Sequence, residues 1–169
     1  MSASGPDQQE SHPRADDVEA MFSFAVYQSV IGFQLSKAAD GLARALNTII
    51  ANKNLPLTAR EFVILNLLYE ESPLSQMQLV ERSYKDAAAT SRLVTSLHRK
   101  GMVARVKTPA DKRIKLISLT DQGKAARGVI IPALSAMLRS TLQGASDEDL
   151  RATQRVIQQV IGATLDAST

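Results

Sequence analysis

Residues 101–123, GMVARVKTPADKRIKLISLTDQG, constrain the fold of this chain more than any other stretch. Two short extended segments, 103–107 and 113–119, are joined by Thr-Pro-Ala-Asp. Their β-branched residues and the turn residues between them predict a β-hairpin with a charged tip, Asp111, Lys112 and Arg113. A lone two-stranded ribbon is only marginally stable in water, so this one has to rest on helices. The second segment stops at Leu-Thr-Asp-Gln-Gly, where Thr120 is placed to cap a helix that starts without a linker.

The preceding residues supply those helices. Thr58-Ala-Arg-Glu61 is a capping box: a hydroxyl, then three residues on a carboxylate, each able to satisfy an orphan amide. Phe62, Leu65, Leu68 and Tyr69 then form a helical face. The pattern repeats at Ser75-Gln-Met-Gln78, just after Pro73, and opens a short helix carrying Leu79 and Val80. Asp86 is placed as the next N-cap, for a helix ending near Lys100 with Gly101 as its stop. Helix, helix, helix, hairpin is the order of a winged helix-turn-helix.

Long helices flank this unit. Leu35, Ala38, Leu42, Ala45 and Ile49, with Ala39 and Leu46 beside them, make a heptad-like seam that ends near 52–54, before Pro56. Residues 20–36 are uncharged but contain Ser23, Gln28, Ser29, Gln34 and Ser36, and fall short of the roughly 20 apolar residues a bilayer requires. They predict a buried interface helix, not a membrane span. Residues 1–17 are polar, without an apolar core of the secretory kind, and predict a disordered tail. Beyond Thr120 a helix is expected to about residue 143, kinked at Pro132. Ser146-Asp-Glu-Asp149 starts a last helix with Leu150, Ile157, Val160, Ile161 and Leu165 on one side. The expected organisation is a tail at 1–17, an N-terminal dimerisation region at 18–54, a winged helix-turn-helix at 55–120 and C-terminal dimerisation helices at 121–169. The fold class is mainly α with a small β-hairpin wing.

Charge points to a partner. The net charge is only +3, yet residues 75–115 hold ten Lys or Arg against three acids, a local +7, which leaves −4 for the remainder. A basic block in an otherwise acidic chain suits a polyanion. On the helix after Asp86, Thr90, Leu93 and Leu97 are spaced to face inward, which turns Ala88, Arg92, Thr95 and Arg99 outward with Ser91 beside them. Small residues at Ala87, Ala88 and Ala89 let the backbone approach base edges, where an arginine can fork onto guanine. Lys85, Arg99 and Lys100 suit phosphates. Lys112 and Arg113, with Asp111 pairing Arg113 to fix the turn, are placed to enter a minor groove. A solvated amphipathic helix and a charged edge strand are the alternatives to these readings.

At these residues the chain resembles the MarR (multiple antibiotic resistance regulator) family of winged-helix repressors. The resemblance runs from about 35 to 165 and is strongest in LTAREFVILNLL, LVERSYKDAAATSRLVTSLHRKGMVAR and DKRIKLISLTDQG. It implies a homodimer built from the terminal helices, DNA reading by the fourth helix and the wing, and a small anionic or phenolic effector. By position, Arg92 matches a DNA-contacting arginine, Asp111 and Arg113 match the wing pair, and Lys112 stands for a wing-tip arginine. Thr90 departs from a more usual valine, Ala87–Ala89 is poor in hydrogen-bonding side chains, and residues 1–27 extend beyond the common pattern.

The resulting expectation is a cytoplasmic, sequence-specific DNA-binding regulator acting on an inverted-repeat operator, a homodimeric repressor relieved by a small molecule. The competing expectation is a winged-helix interaction or architectural module without a specific operator. With no cysteine and only His12 and His98, thiolate chemistry is excluded, and no metal site, P-loop or catalytic triad is legible. No cofactor, enzyme activity or membrane partner is expected.

Overall fold

The computed structural model describes the backbone of residues 15–107 and 115–166, and the side chains of 30–106 and 116–163. The elements in chain order are α1 (Ala15–Asn52), α2 (Ala59–Glu70), β1 (Leu74–Ser75), α3 (Gln76–Ser83), α4 (Ala87–Arg99), β2 (Val103–Lys107), β3 (Lys115–Leu119), α5 (Asp121–Thr141) and α6 (Asp147–Asp166). The chain divides into two units, Met1–Ala45 and Leu46–Thr169.

In the first unit the described residues are helical from Ala15, so the helix takes in 15–17, which the polar composition had assigned to a tail. Ala15, Asp16 and Asp17 at a helix start carry no apolar period, so composition misplaces such a boundary. Val30, Ile31, Phe33 and Leu42 are exposed on this helix.

The second unit holds the core. Ile50, Ile64, Leu65, Leu68, Leu74, Leu79, Val94, Leu97, Met102, Val103, Ile117 and Ile130 are almost wholly buried. The two capping boxes form as the sequence predicts: Thr58 Oγ1 accepts from the Glu61 amide, and Ser75 Oγ accepts from the Gln78 amide. Tyr69 departs from its predicted place: it is exposed, and its ring lies 3.7 Å beneath the Arg127 guanidinium of α5. That guanidinium also donates to Asn66 Oδ1 at 2.9 Å, so α2 and α5 are joined by a polar clasp beside the apolar core.

The hairpin is one part of a three-stranded antiparallel sheet, order β1-β3-β2. β2 pairs with β3 from Val103↔Leu119 to Lys107↔Lys115, and Leu74 of β1 pairs with Ile117. The two-residue β1 was not legible in the sequence, because a strand that short has no period of its own. It makes β3 the central strand and buries Ile117 against Leu74.

The passage from sheet to helix explains the Leu-Thr-x-x-Gly run. Thr120 accepts from the Gly123 amide at 3.1 Å and donates its hydroxyl toward the carbonyls of Gly101 and Met102, at 2.7 and 2.9 Å. Gly101 closes α4 at φ +70°, a conformation that favours glycine. One threonine therefore ties the end of α4 to the start of α5. Pro132 lies within the continuous helix α5, which ends at Thr141. Ser146 and Asp149 exchange hydrogen bonds at the start of α6, as their spacing predicts.

Candidate nucleic-acid interface

α3 and α4 are joined by Tyr84, Lys85 and Asp86. Tyr84 ends α3 in the left-handed conformation, φ 52°, which turns the chain sharply. Asp86 then caps α4, accepting from the Ala89 amide at 2.6 Å. The crossing of the two helices is sealed by Thr90, wholly buried, whose Oγ1 lies 3.5 Å from Oγ of buried Ser83. That contact gives the threonine a polar partner which a valine would lack. Val94 and Leu97 are buried with it, while Leu93 is half-buried.

This packing turns the predicted surface outward. Ala87, Ala88, Arg92, Thr95 and Arg99 are exposed, and Ser91 and Lys85 are half-buried. The cations divide into two sets. Arg82 is bound by Glu71 at 2.6 Å, and this carboxylate is the main reason its pKa is raised further. Arg105 of β2 donates to Thr95 Oγ1 at 3.3 Å, which links the sheet to the outer face of α4. Lys85, Arg92 and Arg99 have no ion pair or hydrogen bond from their charged groups among the described residues. They remain available to an external anion.

Lys100 is a correction. It was expected to face phosphate, but its Nζ donates to both carboxylate oxygens of Glu61, at 2.6 and 2.8 Å. The Glu61 side chain is only 4% exposed. Burial alone would raise its pKa, yet hydrogen bonds from Lys100, Ser96 and Thr58 outweigh that and hold it below its ordinary value. The same carboxylate completes the capping box at the start of α2, so it braces α2 against the last turn of α4.

Two contributors were missed in the sequence. Arg60 and Tyr84 line a groove of about 600 Å³ with Thr58, Lys85, Asp86 and Arg92. Arg60 sits inside a capping-box motif, where spacing identifies the cap but says nothing of the side chain between. Asp111, Lys112 and Arg113, the expected wing tip, lie outside the described residues. Among the described residues no cluster of potential metal ligands occurs, and no helix is long and apolar enough to cross a membrane.

Three packed helices, a short turn before the outer helix and an antiparallel sheet behind it define a winged helix-turn-helix. Within that class, residues 57–115 match the MarR family model. It is 29% identical over 128 residues to the HTH-type transcriptional regulator TtmR of Methylorubrum extorquens, covering 76% of this chain and 57% of that one. A MarR family protein from Bacillus stearothermophilus superposes with TM-score 0.65 at 26% identity, over 83% of this chain and 97% of that one. CouR from Rhodococcus jostii RHA1, solved bound to p-coumaroyl-CoA, has TM-score 0.68 at 25% identity, over 77% and 90% of the respective chains. The chain spans 37%, 57% and 64% of the lengths of three curated relatives that it matches.

Proposed function

We propose that this protein is a sequence-specific DNA-binding transcriptional regulator of the cytoplasm, a homodimeric repressor released by a small molecule. The observation that carries this reading is the outer face of α4. Arg92 and Arg99 are exposed on it, with guanidinium groups unpaired among the described residues, while neighbouring Arg82 and Lys100 are neutralised within the fold. Ala87 and Ala88 keep its first turn narrow, so α4 can enter a major groove with Ser91, Arg92 and Thr95 toward the base edges. Lys85 and Arg99 are suited to phosphate. The pairing of Asp111 with Arg113 expected from the sequence would let Lys112 and Arg113 add a contact in the flanking minor groove. Apolar residues left exposed on α1 (Val30, Ile31, Phe33, Leu42) and on α6 (Leu150, Val156, Val160) support dimerisation through the terminal helices. The likeness to CouR, solved with p-coumaroyl-CoA, supports the anionic or phenolic effector that the resemblance implies.

The test is selection of bound fragments from a random DNA pool. The recovered site is expected to be an inverted repeat with half-site centres roughly 10 bp apart, bound by a species that scatters light as a dimer. Affinity for it should exceed that for random duplex by at least about 10³ at physiological salt. A ratio near one would leave only an architectural module. Arg92→Ala is expected to cost about 1–3 kcal/mol of discrimination, because Arg92 lies nearer the start of α4 and its base edges. Arg99→Ala should weaken selected and random duplex alike. Equal loss of specificity in both variants would overturn the division of roles.

A further inference from the structure

We infer that the groove between the start of α2 and the start of α4 is a seat for a single backbone phosphate, gripped by Arg60, Lys85 and the Tyr84 phenol. This rests on the DNA-binding reading above and adds a contact from outside the helix-turn-helix. The groove takes its walls from three places: Arg60 and Glu61 at the start of α2, Tyr84–Asp86 in the turn, and Arg92 of α4 with Lys100 at its cap. It contains four cationic and two carboxylate side chains, a net of +2.

The hydrogen bonding sorts these charges. Glu61 is consumed by Lys100 and by the Thr58 amide and hydroxyl. Asp86 is committed to the amide of Ala89 at 2.6 Å. Arg60, Lys85 and Arg92 have no such partner among the described residues. Arg92 is exposed on the reading face of α4, which leaves Arg60 of α2 and Lys85 of the turn as the groove's other uncommitted cations among the described residues. Tyr84 is held by its left-handed backbone at the groove's edge and is 61% exposed, so its hydroxyl is free to donate. A guanidinium, an ammonium and a phenol suit the two free oxygens of a phosphodiester. The groove lies along α4, so the phosphate it takes belongs to the strand that borders the major groove which α4 would enter. A free phosphate or other small oxyanion offers the same chemistry, and the experiment separates the two.

Arg60→Gln and Lys85→Gln would be compared with wild type on the selected site and on random duplex across a salt series, with Arg151→Gln on α6 as control. Each test variant should lower affinity for both duplexes by the same factor. Each should also reduce the salt slope, and because a dimer carries two such seats the Arg60→Gln/Lys85→Gln double variant should reduce it by about 1.8, so that its deficit shrinks about 12-fold between roughly 50 and 200 mM salt. Arg151→Gln should change neither. Methylphosphonates at the two symmetry-related positions of the selected site should cost at least as much as either single variant and add nothing in the Arg60→Gln/Lys85→Gln double variant. If the selected site is bound specifically but both slopes stay at the wild-type value, the seat is overturned while the regulator reading stands. If inorganic phosphate raises the melting temperature of wild type but not of Arg60→Gln, and the DNA slopes do not move, the groove takes a free anion and the DNA assignment fails. Absence of any DNA binding by wild type would overturn both readings.

Discussion

Lys100→Met is expected to destabilise the fold by about 3 kcal/mol at neutral pH. The substitution keeps most of the aliphatic stem and removes the ammonium, leaving the Glu61 carboxylate in a site where its side chain is 4% exposed. Breaking a buried pair from one side typically costs about 3–5 kcal/mol. The lower end applies because the Lys100 side chain is itself 28% exposed and because Thr58 and Ser96 still donate to the carboxylate. Adding Glu61→Gln should recover much of the loss, since the second change removes the stranded charge. The pH dependence has a definite sign. A carboxylate whose folded pKa is depressed stabilises the fold above its unfolded value, about 4.3, and that contribution fades as pH falls through the lower folded value. In Lys100→Met the largest support for the depressed pKa is gone, so the deficit against wild type should narrow as acid protonates Glu61. Urea denaturation of the three proteins at pH 7 and in the acid window measures this. Equal midpoints for wild type and Lys100→Met at pH 7 would show that the brace contributes nothing.

Gly123→Ala should cost about 2–3 kcal/mol, although alanine is the better helix former. A Cβ at this position would collide with the Met102 carbonyl oxygen and stand 2.7 Å from Leu119 Cδ1. The carbonyl cannot retreat cheaply, because it accepts both the Thr120 amide, at 3.2 Å, and the Thr120 hydroxyl, at 2.9 Å. Gly128 on the same helix supplies the control. Nothing lies within 4 Å of a Cβ there, so Gly128→Ala should gain about 0.5–1 kcal/mol from the lower entropy of the unfolded chain. Thermal or urea melts of the two variants should move in opposite directions. A shift of the same sign in both would mean that α5 does not approach the sheet as closely as Thr120 implies. DNA affinity of Gly123→Ala, measured where it is folded, should fall as well, since the same knot holds the end of α4.

The local signals were legible because they are local. Hydroxyl and carboxylate three residues apart at Thr58–Glu61, Asp86 before Ala87, Gly101 after Lys100 and Thr120 before Asp121 each settle a helix end within one turn of chain. Spacing along α4 likewise placed Thr90 and Leu97 inward and Arg92 and Arg99 outward. The order of these elements, and the runs at 111–113 and 119–123, were enough to suggest the family. What spacing could not supply is the partner of a charge. Lys100 and Arg99 are neighbours of similar character, yet one is neutralised by Glu61, 39 residues away in sequence, and the other is exposed without a salt bridge among the described residues. Arg60 and Lys85 were separate cations in the sequence until the α2–α4 packing put them around one groove. β1 acquired meaning only through Leu74 facing Ile117. Caps, periods and turns follow from the geometry of a few consecutive residues, so the sequence alone determined them. Which cations remain free to meet an anion depends on distances between segments far apart in the chain, and only the tertiary structure decided that.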